Sequence, residues 1–239
     1  MERNDGRWSR NTLLGSLDAY VRQEVLAAGV VNRYPEERYL LRQDERGDHV
    51  LVLLSGTAKV LVHTSSGHLG LLGIRIAGEM IGEMSALDER VPRSASVITG
   101  SVVTVAKIGR RRLEALMTQH PQLSLAVTRM ISERLRWANR RRIDAGTYGP
   151  RVRVARLIAE LAACYGNQRP DGWDLGLNLT QAELGSLAGI AQRTAERELR
   201  MLEDENVIKR RYRRLEIVDS VRLRSIAEWD QNPPLCVFS

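Results

Sequence analysis

Two stretches of this 239-residue chain carry side chains able to do chemistry. The first runs from Ile81 through Gly82, Glu83, Met84, Ser85 and Ala86 to Leu87, with Arg93, Ser94 and Ala95 close behind. Gly82-Glu83 reads as the end of a strand and the start of a short helix, whose free N–H groups suit an anion. The Arg93 guanidinium can fork onto a phosphate, and the Ser94 hydroxyl adds a hydrogen bond. A carboxylate such as Glu83 can accept from sugar hydroxyls. Together these types suit a compact phosphorylated sugar. The alternative is a Glu83–Arg93 surface ion pair in a loop.

The second stretch is Thr180 to Leu202. Thr180 with Glu183 makes a capping box. Ala182, Leu184, Leu187 and Ala188 give a short helix an apolar side. Gly189 supplies a turn that needs positive φ, and Ile190 fills the corner. A second helix opens at Ala191–Gln192 and buries Ala195, Leu199 and Leu202. Its other side carries Gln192, Arg193, Thr194, Glu196, Arg197 and Arg200. Such a helix can lie in a DNA major groove with its N-terminal residues on base edges. An ordinary helical hairpin with a solvated charged face is the alternative. The residues just beyond the second helix favour DNA. Positions 206–218 read as two short strands around a turn crowded by Lys209, Arg210, Arg211, Arg213 and Arg214. A basic wing beside a two-helix unit is what phosphate contact requires.

Composition agrees. Lys+Arg number 36 against 29 Asp+Glu, so the net charge of +7 fits a polyanion. Cys164 and Cys236 offer neither a disulfide framework nor metal-ligand spacing, which predicts a reducing compartment. No apolar run approaches the roughly 20 residues of a membrane span. The N-terminus lacks the apolar core of a signal peptide. The expected location is cytoplasmic, without membrane association. There is no nucleophile–base pair, metal cluster or Walker-type loop, so an enzyme is not expected.

The remaining elements must position these two stretches. Residues 12–28 read as one or two short helices. From about Val30 the period changes to two, with strands around 38–42, 49–54, 57–63, 69–74, 95–98 and 102–108. The turn between the third and fourth of these falls at 64–67. Short strands at this spacing predict a small barrel or jelly roll. A helix opens at Gly109 or Arg110, and a long one runs from Pro121 to about Ala145. Its Leu123, Val127, Ile131, Leu135 and Ala138 approximate a coiled-coil seam. The seam faces either the chain's own barrel or a parallel homodimer, and half-site reading favours the dimer. Arg140, Arg141 and Arg142 are expected to be solvated. Gly146 to Pro150 reads as a linker. A helix over 151–164, a loop over 166–176 and a closing helix over 221–229 complete the chain.

With these elements in place, the sequence resembles the family of the catabolite activator (cyclic-AMP receptor protein) and FNR, bacterial transcription regulators. The likeness spans about Thr12 to Trp229 and is carried by Gly47, Gly56, Gly78, Gly82, the long helix and the stretch TQAELGSLAG…RTAERELRMLEDENVI. It implies an α+β chain: an N-terminal cyclic-nucleotide-binding β-jelly roll over 12–120, a dimerisation helix over 121–146 and a C-terminal winged helix-turn-helix over 147–231. It implies that Gly82, Glu83, Met84, Arg93, Ser94 and Ala95 form a phosphate-binding cassette, with Glu83 on the ribose and Arg93 and Ser94 on the cyclic phosphate. Ala138 and Asn139 stand where cyclic-AMP receptors carry an adenine-contacting Thr-Ser pair, and Ala86 replaces a larger aliphatic residue. In the recognition helix, Gln192, Arg193 and Arg197 replace the best-known Arg-Glu…Arg pattern. This predicts a different palindromic operator that shares one guanine per half-site. The implied DNA-contacting set is Thr180, Gln192, Arg193, Thr194, Arg197, Arg200, Lys209, Arg210 and Arg211.

The expected function is therefore a homodimeric regulator of double-stranded DNA, controlled by cyclic AMP or another cyclic nucleotide and acting with RNA polymerase. Two cysteines cannot ligate an iron–sulfur cluster, and neither haem nor a metal is expected. The competing readings are a DNA-binding regulator independent of cyclic nucleotide, and a cyclic-nucleotide-binding protein that acts on a protein partner.

Overall fold

The computed structural model describes residues 8–63, 69–169, 172–211 and 214–229. The expected turn at 64–67, Arg213 and Cys236 lie outside them. The chain forms two compact units, Met1–Glu133 and Arg134–Ser239.

The first unit begins with helices α1 (Leu13–Ser16) and α2 (Ala19–Ala27). Strands β1 (Val30–Tyr34), β2 (Tyr39–Leu41), β3 (His49–Ser55), β4 (Thr57–His63), β5 (Leu69–Ile76) and β6 (Met80–Ile81) come next. Then come α3 (Glu83–Leu87), β7 (Ser96–Thr99), β8 (Val103–Gly109), α4 (Arg110–Gln119) and α5 (Pro121–Thr147). The strands build two antiparallel four-stranded sheets, ordered β1-β8-β3-β6 and β2-β7-β4-β5. Period-two alternation explains how β3 serves two cores. Leu51 and Leu53 join Leu41, Ala58, Val97, Val103 and Val105. Val50 and Val52 face the other way, onto Leu13, Val21, Val25, Leu113, Leu116 and Leu123. Trp8 also enters that second core and donates its indole N–H to the Leu54 carbonyl at 3.2 Å.

The long helix corrects the expected seam. Leu123 and Val127 are buried in the unit's own core together with Ala126 and Met130. The stripe that stays in solvent is Thr128, Ile131, Leu135, Ala138, Arg142 and Ala145. These residues alternate spacings of three and four, a heptad seam. The division between the units falls within α5, after Glu133.

The second unit continues with α6 (Pro150–Tyr165), β9 (Asn167–Arg169), β10 (Gly172–Asp174), α7 (Gln181–Ala188), α8 (Gln192–Asp204), β11 (Ile208–Arg211), β12 (Arg214–Ile217) and α9 (Ser220–Ile226). Its sheet runs β11-β12-β10-β9. The expected loop over 166–176 is thus largely a hairpin. Trp173 pairs with Ile217 and Asp174 with Glu216, partners more than 40 residues away that no local pattern announces. The expected linker is also shorter: α5 extends to Thr147 and α6 opens at Pro150, a favoured first helical residue.

Arg140 and Arg141 are not simply solvated. Arg141 pairs with Glu160, which is 3% exposed, and Arg140 lies 3.4 Å from the same carboxylate. Arg141 also reaches Asp144 at 3.4 Å, and Arg156 reaches Asp144 at 3.1 Å. Arg142 remains exposed as expected.

Candidate ligand pocket and DNA interface

In the first unit, β6 ends at Ile81 and the chain reverses at Gly82, whose φ of 83° is left-handed backbone that favours glycine. A Cβ there would come within 2.4 Å of Arg93 Nη1, so glycine also admits the guanidinium. Arg93 is 4% exposed. Its Nη1 donates to the Gly82 carbonyl at 2.6 Å and its Nη2 to the His49 carbonyl at 2.7 Å. Burial lowers the Arg93 pKa, and the nearby Asp48 and Glu83 carboxylates oppose that shift. Glu83 is 6% exposed. Both members of the pair are therefore buried, which rules out the surface ion pair.

The other cassette residues lie around this pair. Met84 and Ser94 are exposed, and the Ser94 hydroxyl faces Met84 Sδ at 3.6 Å. Ala95 is buried. Ala138 and Asn139 are exposed on α5 and belong to the second unit. A cleft of about 630 Å³ lined by Tyr39, Arg42, Gln43, Asp44, Glu45, His63 and Ser96 contains none of the cassette residues.

Sequence reasoning missed the residue that holds the cassette in place. Arg110, the first residue of α4, donates from Nε to the Ala86 carbonyl at 2.6 Å. Its Nη2 reaches the Gly47 carbonyl at 2.7 Å and the Ser85 carbonyl at 2.9 Å. It also pairs with Glu89. One guanidinium thereby ties the end of α3 to the loop before β3. Its only local signal was a basic residue at a helix start, where a cation is electrostatically disfavoured. The Ser85 hydroxyl, missed likewise, is buried without a hydrogen-bond partner among the described residues.

In the second unit, Thr180 caps α7: its hydroxyl accepts from the Glu183 amide at 3.2 Å, and Glu183 Oε2 accepts from the Thr180 amide at 2.8 Å. The capping box read from sequence is therefore present. Gly189 closes α7 with φ of 65°. Arg153 of α6 fastens this turn, donating to the Ala188 carbonyl through Nε at 2.9 Å and Nη2 at 2.6 Å. Helix α8 buries Ala195, Leu199 and Leu202 completely. Gln192, Arg193, Arg197 and Arg200 are exposed and Thr194 is half-buried, so all five lie off that apolar stripe.

In the wing, one arginine is already paired. Lys209 and Arg211 are exposed. Arg210 instead folds back on α8: Glu203 accepts from its amide at 3.0 Å and from its Nε at 2.6 Å. Arg210 thus anchors the wing. Its amide holds the Glu203 carboxyl below the usual 4.5, with burial opposing and the guanidinium adding. A depressed folded pKa means stabilisation present above pH 4.5 and lost as pH falls through the folded value. An NMR titration of the Arg210 amide shift should have its midpoint below 4.5; a midpoint at or above that value refutes the anchor.

Residues 31–120 match the cyclic nucleotide-binding domain, and residues 152–226 match the Crp-like helix-turn-helix domain. The chain belongs to the CRP/FNR family. It is a DNA-binding transcription regulator with a cyclic nucleotide-binding domain. The cAMP-activated global transcriptional regulator CRP of Salmonella typhimurium is 26% identical over 179 residues, which are 74% of this chain and 84% of that one. The CRP-like cAMP-activated global transcriptional regulator of Mycobacterium tuberculosis is 27% identical over 190 residues, 80% of this chain and 84% of its own. In fold, the chain is similar to CLP, the c-di-GMP-responsive global regulator of Xanthomonas campestris. That likeness has a TM-score of 0.74 at 22% identity, over 84% of this chain and 99% of that one. Among the described residues no helix is long and apolar enough to cross a membrane, and no cluster of His, Cys, Asp and Glu could hold a metal.

Proposed function

We propose that this regulator binds a palindromic operator as a homodimer and that a cyclic nucleotide, cyclic AMP first among them, controls its DNA affinity. The observation that carries the reading is the burial of Arg93 beside Glu83 behind a left-handed Gly82. A buried guanidinium with a buried carboxylate nearby matches the phosphate and ribose of one ligand. The relatives named for activation by cAMP support the choice. In this reading Gly82, Glu83, Met84, Arg93, Ser94 and Ala95 bind the phosphate and ribose. The exposed α5 stripe of Ile131, Leu135 and Ala138 pairs with a second copy. Gln192, Arg193, Thr194, Arg197 and Arg200 read the major groove, while Thr180, Lys209 and Arg211 approach phosphates. The DNA-bound dimer works beside RNA polymerase in the cytoplasm.

Ligand acts by binding the DNA-competent state more tightly than the other. Calorimetric titration with cyclic AMP, cyclic GMP and cyclic di-GMP tests this. Micromolar heat with the wild type, lost in Arg93→Leu, is the expected result. No heat with any of the three overturns nucleotide control. One observation favours that second reading, a regulator without nucleotide dependence: both terminal nitrogens of Arg93 already donate to backbone carbonyls. A ligand phosphate then has to share the guanidinium with those carbonyls, on the three N–H donors that remain.

A further inference from the structure

Glu198 sits where α8 has no evident use for a charge. It lies three residues after Ala195, one before Leu199 and four before Leu202, all of which are fully buried. Glu198 itself is 4% exposed, so its carboxylate occupies the apolar stripe of an amphipathic helix. A buried carboxylate is costly unless it is paired and hydrogen-bonded. Its partner is the residue before it. Arg197 donates to Glu198 Oε1 through Nε at 3.1 Å and through Nη2 at 2.6 Å. The Arg197 side chain is 65% exposed while that of Glu198 is 6% exposed, so the pair bridges the buried and open faces of the helix.

This geometry divides the guanidinium in two. Two of its five N–H donors, on Nε and Nη2, are held by one carboxylate oxygen. Of the three that remain, two lie along the Nη1/Nη2 edge, away from Glu198. That end-on edge carries two parallel donors, the arrangement that guanine O6 and N7 accept. An unpaired arginine on an open helix face samples many rotamers and is drawn to any nearby phosphate. Arg197 held by Glu198 loses part of that freedom before DNA arrives, and its charge is balanced locally. Arg193, four residues earlier, has no such partner among the described residues.

We infer that Glu198 is a specificity-determining positioning residue: it presents Arg197 to one guanine per half-site and suppresses that arginine's attraction to phosphates. The inference rests on the reading that α8 enters the major groove, and deepens it.

The test uses the full-length protein and a duplex library with a randomised inverted-repeat core. Selection with the wild type defines the preferred sequence. Binding is then measured for every single-base-pair change in a half-site with the wild type, Arg197→Ala, Glu198→Leu and Glu198→Gln. Leucine suits the apolar stripe, so Glu198→Leu should fold, and a thermal melt checks it. The expected result is a loss of about tenfold in discrimination at one base pair in Glu198→Leu, the same pair at which Arg197→Ala loses preference. Discrimination elsewhere is kept, binding to unrelated duplexes rises, and the salt dependence steepens. Glu198→Gln keeps an acceptor and retains most of the preference. A wild-type profile in Glu198→Leu, or an equal loss at every position, overturns the inference and leaves Glu198 as a stabilising group only. Failure of the wild type to select any sequence overturns the groove reading itself, a separate outcome.

Discussion

Glu160→Ala should destabilise the second unit by about 3–5 kcal/mol, because it leaves buried cations without their counter-charge. Glu160 is 3% exposed on α6, and the side chain of Arg141 that pairs with it is 13% exposed. Arg140 and Arg141 already bury Nε–H groups that have no acceptor among the described residues. The cluster extends further. Asp144 bridges Arg141 and Arg156, and Arg156 also donates to the Ala227 carbonyl at 2.8 Å and stacks 3.8 Å above the Tyr148 ring. Glu160 and Asp144 together therefore support the junction of α5, α6 and the end of α9. The pair is not stabilising merely because it exists; breaking one side is what costs. Urea denaturation monitored by circular dichroism measures the effect. A loss below about 1 kcal/mol would mean that water reaches the arginines and screens them.

Arg110→Ala should cost about 3 kcal/mol and weaken cyclic-nucleotide binding at least tenfold. The substitution strips donors from three carbonyls at once, on Gly47, Ser85 and Ala86. With the tie gone, α3 loses its fixed place beside Arg93. Lysine should not rescue, because a point charge cannot span three acceptors as a planar fork does. Thermal melting together with cyclic-AMP calorimetry gives both effects. A stable Arg110→Ala protein with unchanged affinity would show that β6 and α3 hold the cassette without it.

The helix-turn-helix was legible because its determinants are local. A capping box joins residues three apart, Gly189 answers a backbone requirement at one position, and Ala195, Leu199 and Leu202 recur at the period of a single helix. Strand alternation likewise exposed the jelly roll, since β3 and β8 pack on both faces. The cassette of Glu83 and Arg93 was visible as residue types within about ten positions. Sequence alone thus determined the two domain types, their order and the apolar faces of their helices, all of them patterns of short range.

What only the tertiary structure decided are pairings between distant residues. Periodicity marks Leu123 and Val127 as apolar but cannot say which surface covers them; their own barrel does. The hairpin of β9 and β10 exists because β12 offers an edge more than 40 residues later. Arg140 and Arg141 looked like a solvated run until Glu160 came to meet them, and the pairing of Arg210 with Glu203 was hidden in the same way. Glu198 was invisible in the same way, a charge on a charged helix, until its burial was known. Backbone preference and hydrophobic period act within a few residues and are written into the chain. The partner of a long charged side chain depends on which segments the fold brings within about 4 Å, and that distance does not exist until the chain is folded.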